Sequence, residues 1–159
     1  MAQQSVSATF YLDSSALVKR YAVETGATWV RTLCGRPGHI ITVALVGLVE
    51  VAAAVAGKLR GGTISQATAD EILNSLKSDA AIQYSLLDVN QYVVDEAMEL
   101  TRRQRLRGYD AIHLASALRL NRALVDRHLP SLILVAADDD LLKAAQAEGL
   151  ATENPNLHS

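Results

Sequence analysis

The chain has 159 residues, half of them apolar, with 20% charged side chains and three prolines, the composition of one globular domain with a sizeable core. Fifteen basic against seventeen acidic side chains leave a formal charge of −2, which excludes a strongly cationic surface and confines any nucleic-acid site to a local patch. One cysteine, Cys34, excludes an internal disulfide, and without a cationic-then-apolar leader the expected location is the cytoplasm. Ile40 to Ala56 contains only Thr42 and Glu50 as polar residues. That stretch is at the short limit for a bilayer span and carries a carboxylate near its middle, so a buried strand running into a buried helix is expected, with no membrane association. Seven aromatic residues in the whole chain leave too few rings for base-stacking platforms.

In chain order, Ala8 to Leu12 reads as a strand that meets Asp13-Ser14-Ser15 and passes into a helix from Ala16. After Gly26 a second helix carries Trp29, Val30 and Leu33 and stops in the turn Gly35-Arg36-Pro37-Gly38. His39 to Val43 is a β-branched strand. Ala44 to Arg60 follows as a helix apolar on nearly every side, hence buried, ended by Gly61-Gly62. Ser65 to Ala81 is an amphipathic helix and Tyr84 to Val89 a short strand. Asn90 caps a helix running to about Leu106, and Gly108-Tyr109-Asp110 opens another with Ala111, Leu114, Ala115 and Leu118 on one face. Leu132 to Ala137 is a buried strand, Asp138-Asp139-Asp140 turns it into a helix over Leu141 to Ala147, and Gly149 closes it. Residues 151–159 read as a loose tail after a domain over 1–150.

Short apolar strands alternating with helices predict an α/β fold with a parallel-rich central sheet covered by helices on both faces. In such a sheet functional groups gather beyond the carboxyl ends of the strands. Asp13 and Asp138 each follow a strand and precede a helix, Glu50 lies about two turns into a third helix, and Asp110 opens a fourth. Aspartate is also a favoured helix N-cap, which accounts for Asp13, Asp110 and Asp138 without any chemistry. Glu50 is different: a lone carboxylate in an apolar helix needs a cation or a hydrogen-bonding partner, of which a salt bridge to an arginine is the plainest.

The segments Tyr11-Leu12-Asp13-Ser14-Ser15-Ala16-Leu17, Leu48-Val49-Glu50-Val51, Tyr109-Asp110-Ala111-Ile112-His113-Leu114-Ala115 and Val135-Ala136-Ala137-Asp138-Asp139-Asp140-Leu141 resemble, in order, the acidic motifs of PIN domains. Over residues 8 to 150 the resemblance is nearest to VapC toxins of toxin–antitoxin pairs. It implies a single PIN-like domain and an endoribonuclease that needs Mg2+ or Mn2+. It implies catalytic, metal-binding acids at Asp13, Glu50, Asp110 and Asp138, with Asp140 as a candidate fifth ligand and Ser15 as the small polar residue supporting the first aspartate. An RNA substrate of the tRNA or rRNA class, a small cognate antitoxin and a homodimer are the implied partners. Ala44 and Ala136 depart from the pattern, standing where many relatives carry Ser or Thr.

Hard divalent ions take oxygen ligands, and magnesium is held by a few carboxylates while keeping several waters. A water made more acidic by the ion attacks the phosphorus in line, so no side-chain nucleophile is needed. Other site types find no support: there is no Gly-rich loop ending in Lys-Ser/Thr, no GxGxxG and no Cys/His spacing for zinc. His113 lies one helical turn from Asp110 and is a candidate to face the site, but packing is the preferred reading for it and for Ser116. Arg102, Arg103, Arg105 and Arg107 are the one dense basic run, either a solvated helix end or an RNA phosphate contact beside Asp110; Lys19 and Arg20 are further candidates. The alternative to a ribonuclease is a catalytically weak PIN-like adaptor that binds RNA or protein, favoured by the two missing hydroxyls. An unrelated metal phosphohydrolase ranks last, because Asp13-Ser14-Ser15 lacks a second aspartate.

Overall fold

In the computed structural model, which describes residues 7–158, Ala8–Leu12 forms strand β1. Its side chains alternate as a pleated strand requires, with Phe10 and Leu12 in the apolar cluster on one face and Tyr11 in the cluster on the other. Strands β2 (His39–Ala44), β3 (Tyr84–Leu87), β4 (Ile133–Val135) and β5 (Ala151–Glu153) complete a five-stranded sheet in the order β3-β2-β1-β4-β5. Every pairing is parallel, with Phe10 facing Ile41 on one side and Ile133 on the other.

Helices cover both faces, as the strand–helix alternation predicts. Helices α1 (Ser14–Leu17), α2 (Ala27–Gly35), α3 (Leu45–Arg60) and α4 (Gln66–Ile82) share the cluster with Phe10 and Leu12. Helices α5 (Gln91–Arg103), α6 (Gly108–Asp126) and α7 (Asp139–Ala147) share that with Tyr11 and Leu134. Ser65 and Asn90 cap α4 and α5 by accepting the backbone N–H of Thr68 and Val93, each at 3.1 Å. Among the described residues no helix is long and apolar enough to cross a membrane.

Three expectations are corrected. Helix α3 is not buried on all sides: Gly47, Val51 and Val55 face inward at four-residue spacing, while Leu45, Val49 and Ala53 are exposed. Composition hides the division because both faces are apolar, and only spacing distinguishes them. Helix α5 stops at Arg103 rather than near Leu106, with Gln104 in extended backbone. The loose tail expected over 151–159 is ordered through 158: β5 pairs in parallel with β4, and a 3-10 turn spans Pro155–Leu157. His158 then stacks on Trp29 with ring centroids 4.3 Å apart. Gly26 makes room for this return, since it has φ +80° and a Cβ there would stand 2.3 Å from the Pro155 carbonyl oxygen. Three strand residues are too few to show a period in sequence. The expected limits at residues 1 and 159 lie outside the described residues.

Candidate active site

The chain leaves β1 toward β2 on one side and leaves β4 toward β5 on the other, so β1 and β4 flank the point where the sheet's connections reverse direction. In open parallel sheets such a reversal leaves a crevice beyond the carboxyl ends, the usual ligand position. Asp13 follows β1 and Asp138 lies three residues beyond β4, one on each side of that crevice.

Asp13 is 3% exposed. Its Oδ1 caps α1 by accepting the Ala16 N–H at 3.0 Å, and the Ser15 hydroxyl donates to the carboxylate at 2.7 and 2.8 Å from its two oxygens. Ser15 Oγ in turn accepts the Ala137 N–H at 2.8 Å. One hydroxyl thus ties the first aspartate to the turn after β4, which explains a small hydroxyl residue at this position. Burial raises the Asp13 carboxyl to about 6, with Asp138 adding to the rise and the His113 imidazole, Ser15 and the Ala16 N–H working against it. Asp138 caps α7 through the Leu141 N–H at 2.9 Å.

Asp110 is not an N-cap. Arg107 holds that position in α6, and Asp110 sits in the first turn. Partial burial and the charge of Asp138 raise the Asp110 carboxyl, Glu50 adds to this, and the Arg107 backbone N–H and His113 oppose it. The capping explanation therefore holds for Asp13 and Asp138 and fails for Asp110. Asp140 is exposed in the first turn of α7.

Among the described residues Glu50 has no arginine partner. Its Oε1 lies 2.5 Å from His113 Nε2, and its Oε2 accepts the Ser14 hydroxyl at 3.2 Å. His113 Nδ1 lies 2.7 Å from the Tyr11 hydroxyl. The sequence offers His113 as a candidate to face the site but prefers a packing role for it, and it assigns no role to Tyr11 or Ser14. The signal is there in the spacing: His113 stands three residues after Asp110 on one helix, and Ser14 adjoins Asp13.

The basic run divides. Arg103 grips Glu148 at the end of α7 with two hydrogen bonds of 2.7 and 3.1 Å, and Gln104 joins it at 3.1 Å. These contacts hold the Glu148 carboxyl below its ordinary value, the Arg103 hydrogen bond contributing most. Arg102 pairs with Glu99 one turn earlier, at 3.4 Å. Arg105 and Arg107 are exposed and form no ion pair among the described residues. Lys19 and Arg20 are taken up by the fold: Lys19 is buried and donates to the Thr25 carbonyl at 2.9 Å, and Arg20 binds Tyr84, Gln83 and Asp79.

Asp13, Glu50, Asp110 and Asp138 thus come from two strand ends and both helical layers, and their charges act on one another across one edge of the sheet. As placed, no three His, Cys, Asp or Glu side chains among the described residues stand close enough to hold a metal ion. The donor chemistry fits a hard divalent cation all the same: oxygen only, several carboxylates, and at least one carboxyl raised by burial that a cation would return to the charged form.

These features define an α/β protein with several carboxylates placed near the switch point of a parallel sheet. Residues 10–147 match the family model of the PIN domain; the chain belongs to that family, whose members are generally nucleases. Comparison with curated proteins by sequence gives no match. Among solved structures it is similar to PAE2754 from Pyrobaculum aerophilum, with 22% identity, TM-score 0.61, and 92% of this chain and 90% of that one covered. FitAcB from Neisseria gonorrhoeae aligns with 15% identity, TM-score 0.65 and coverage of 94% and 99%. VapC20 from Mycobacterium tuberculosis, a sarcin–ricin loop cleaving toxin, aligns with 14% identity, TM-score 0.60 and coverage of 89% and 96%. At these identities the likeness shows the fold.

Proposed function

We propose that the chain is a Mg2+- or Mn2+-dependent endoribonuclease that hydrolyses RNA phosphodiester bonds and acts in the cytoplasm as the toxin of a toxin–antitoxin pair. What supports this is membership of the PIN family, together with Asp13, Asp110 and Asp138 near the carboxyl ends of β1 and β4 within reach of one another's charges, and Glu50 within reach of Asp110. Asp13, Asp110 and Asp138 hold the cation, directly or through water; Glu50 holds it or orients the attacking water; Asp140 is an outer candidate. The ion, when bound, supplies a more acidic water and charge neutralisation at phosphorus. Ser15 keeps the Asp13 carboxylate aimed by holding both its oxygens. A small antitoxin and a second copy of the chain are the proposed protein partners; Met98 and Tyr109, exposed along one cavity between α5 and α6, offer apolar surface for them.

The test is cleavage of tRNA and rRNA fragments by purified protein. Cutting is expected with Mg2+ or Mn2+ and is expected to stop in chelator. Robust cleavage in chelator after repurification removes the metal mechanism. The adaptor reading has one observation in its favour: Ala44 is the N-cap of α3 and supplies no side-chain hydrogen bond there. Retained Mn2+ binding with no cleavage of any RNA would transfer the function to that reading.

Arg105 and Arg107 are the proposed phosphate contacts, since Arg102 and Arg103 are paired within the fold. Replacing both by Gln is expected to weaken RNA binding. For a single-stranded RNA, the slope of log K against log salt should fall by roughly 0.7 for each phosphate that is no longer neutralised. Binding titrations at several salt concentrations read this directly, and an unchanged slope removes both residues from the RNA interface.

A further inference from the structure

The Glu50 carboxylate is held by a partner that neither the capping argument nor the metal chemistry requires. His113, 1% exposed, lies between Glu50 on α3 and Tyr11 on β1, with hydrogen bonds of 2.5 and 2.7 Å from its two ring nitrogens. Tyr11 is itself fully buried, two residues before Asp13 and on the same face of its strand. Its ring meets the imidazole edge-on, with centroids 5.9 Å apart. Gly47, one turn before Glu50, packs against the imidazole: a Cβ there would stand 3.4 Å from His113 Cε1, within ordinary contact distance.

Each ring nitrogen of His113 has a partner along this line. Nε2–H donates to Glu50 Oε1, and Nδ1 and the Tyr11 hydroxyl share the second bond, its donor set by the tautomer. No buried side-chain nitrogen or oxygen among the described residues is then left without a partner. One imidazole therefore couples three of the elements that carry the acids: β1 leading to Asp13, α3 bearing Glu50, and α6 bearing Asp110 one turn away. Glu50 comes from one helical layer and His113 from the other, so the contact also fixes the spacing between layers.

We propose that Tyr11 and His113 are positioning residues, a buried Tyr11–His113–Glu50 relay that sets the orientation of the Glu50 carboxylate for the divalent ion or its water. The relay consumes one Glu50 oxygen and leaves Oε2, held only by the longer Ser14 bond, for the site. Outer hydrogen-bond partners of this kind orient a ligand and set its affinity, and losing one costs about 10- to 100-fold in metal affinity or activity. The proposal rests on the metal-dependent reading above.

The experiment uses the whole chain and two readouts besides cleavage. The first is Mn2+ affinity by calorimetry; the second is the imidazole 15N spectrum of metal-free protein, which reports the tautomer. His113→Leu keeps the volume and apolar surroundings but removes both bonds, and is expected to weaken Mn2+ binding about 10- to 100-fold. His113→Gln, which carries an amide N–H toward Glu50, is expected to recover most of that loss. Tyr11→Phe removes one oxygen from a side chain that otherwise packs unchanged, so it tests the relay even if His113→Leu fails to fold. It is expected to shift the His113 Nδ1 resonance and weaken Mn2+ binding severalfold. Unchanged Mn2+ affinity in Tyr11→Phe and in folded His113→Leu alike, with Glu50→Gln losing it, overturns the relay and leaves the metal reading standing. No Mn2+ binding by the wild-type chain overturns both.

Discussion

Asp110→Asn and Asp13→Asn are each expected to abolish divalent-ion-dependent cleavage, by more than about 100-fold, since removing a ligand costs more than removing its outer partner. They separate a metal centre from a set of helix caps because the two aspartates stand differently in their helices. Asp13 is the N-cap of α1, and asparagine caps as well as aspartate does. Asp110 lies in the first turn of α6, where the charge is worth about 0.3–1 kcal/mol to the helix dipole. Against that small loss stands relief from Asp138 and Glu50, whose charges raise the Asp110 carboxyl. Metal-free Asp110→Asn should therefore melt close to wild type, and the stabilisation that added Mn2+ gives the wild type should shrink in both variants. Thermal melts with and without Mn2+, run beside the nuclease assay, check this. Retained cleavage together with an unchanged response to metal in both variants would sink the metal cluster.

The architecture is legible in the sequence because each strand is a short apolar run bounded by its own turn chemistry, and the acids follow those runs at fixed places. β5 escapes because Ala151–Glu153 has only three residues and gains its identity from the edge of β4. Helix α3 misleads for the opposite reason, since an apolar outer face looks the same in sequence as an inner one. At the site, Glu50 stands out as a carboxylate in need of a partner, and that need is real. The partner's identity is not legible, because His113 lies 63 residues away and is joined to Glu50 only by the packing of α6 near Gly47. The arginine run shows the same limit: four like residues in sequence divide into two ion-paired and two unpaired side chains once α7 brings Glu148 to Arg103.

In chelated protein, the stability difference between wild type and Asp13→Asn is expected to depend on pH in one direction. The folded Asp13 carboxyl lies at about 6 because burial disfavours its charge, against about 3.9 in the unfolded chain. Between these values the folded state binds the extra proton, so the group's contribution to stability falls as pH rises and levels off above about 6. The gap corresponds to about 3 kcal/mol. Asp110 is raised in the same direction. Glu24 and Glu148, lowered by their partners, act oppositely, so the wild-type profile alone mixes both signs. The difference between the two proteins isolates Asp13: near zero at pH 4, it is expected to favour Asp13→Asn by about 1–3 kcal/mol at pH 7, the lower end reflecting weaker hydrogen bonds to a neutral amide. Mn2+ should reverse the order at pH 7 by binding the charged wild-type carboxylate and not the amide. Urea titrations at pH 4, 5, 6 and 7, with chelator and with Mn2+, measure the difference. Parallel profiles for the two proteins would show that the buried Asp13 carboxyl carries no such penalty.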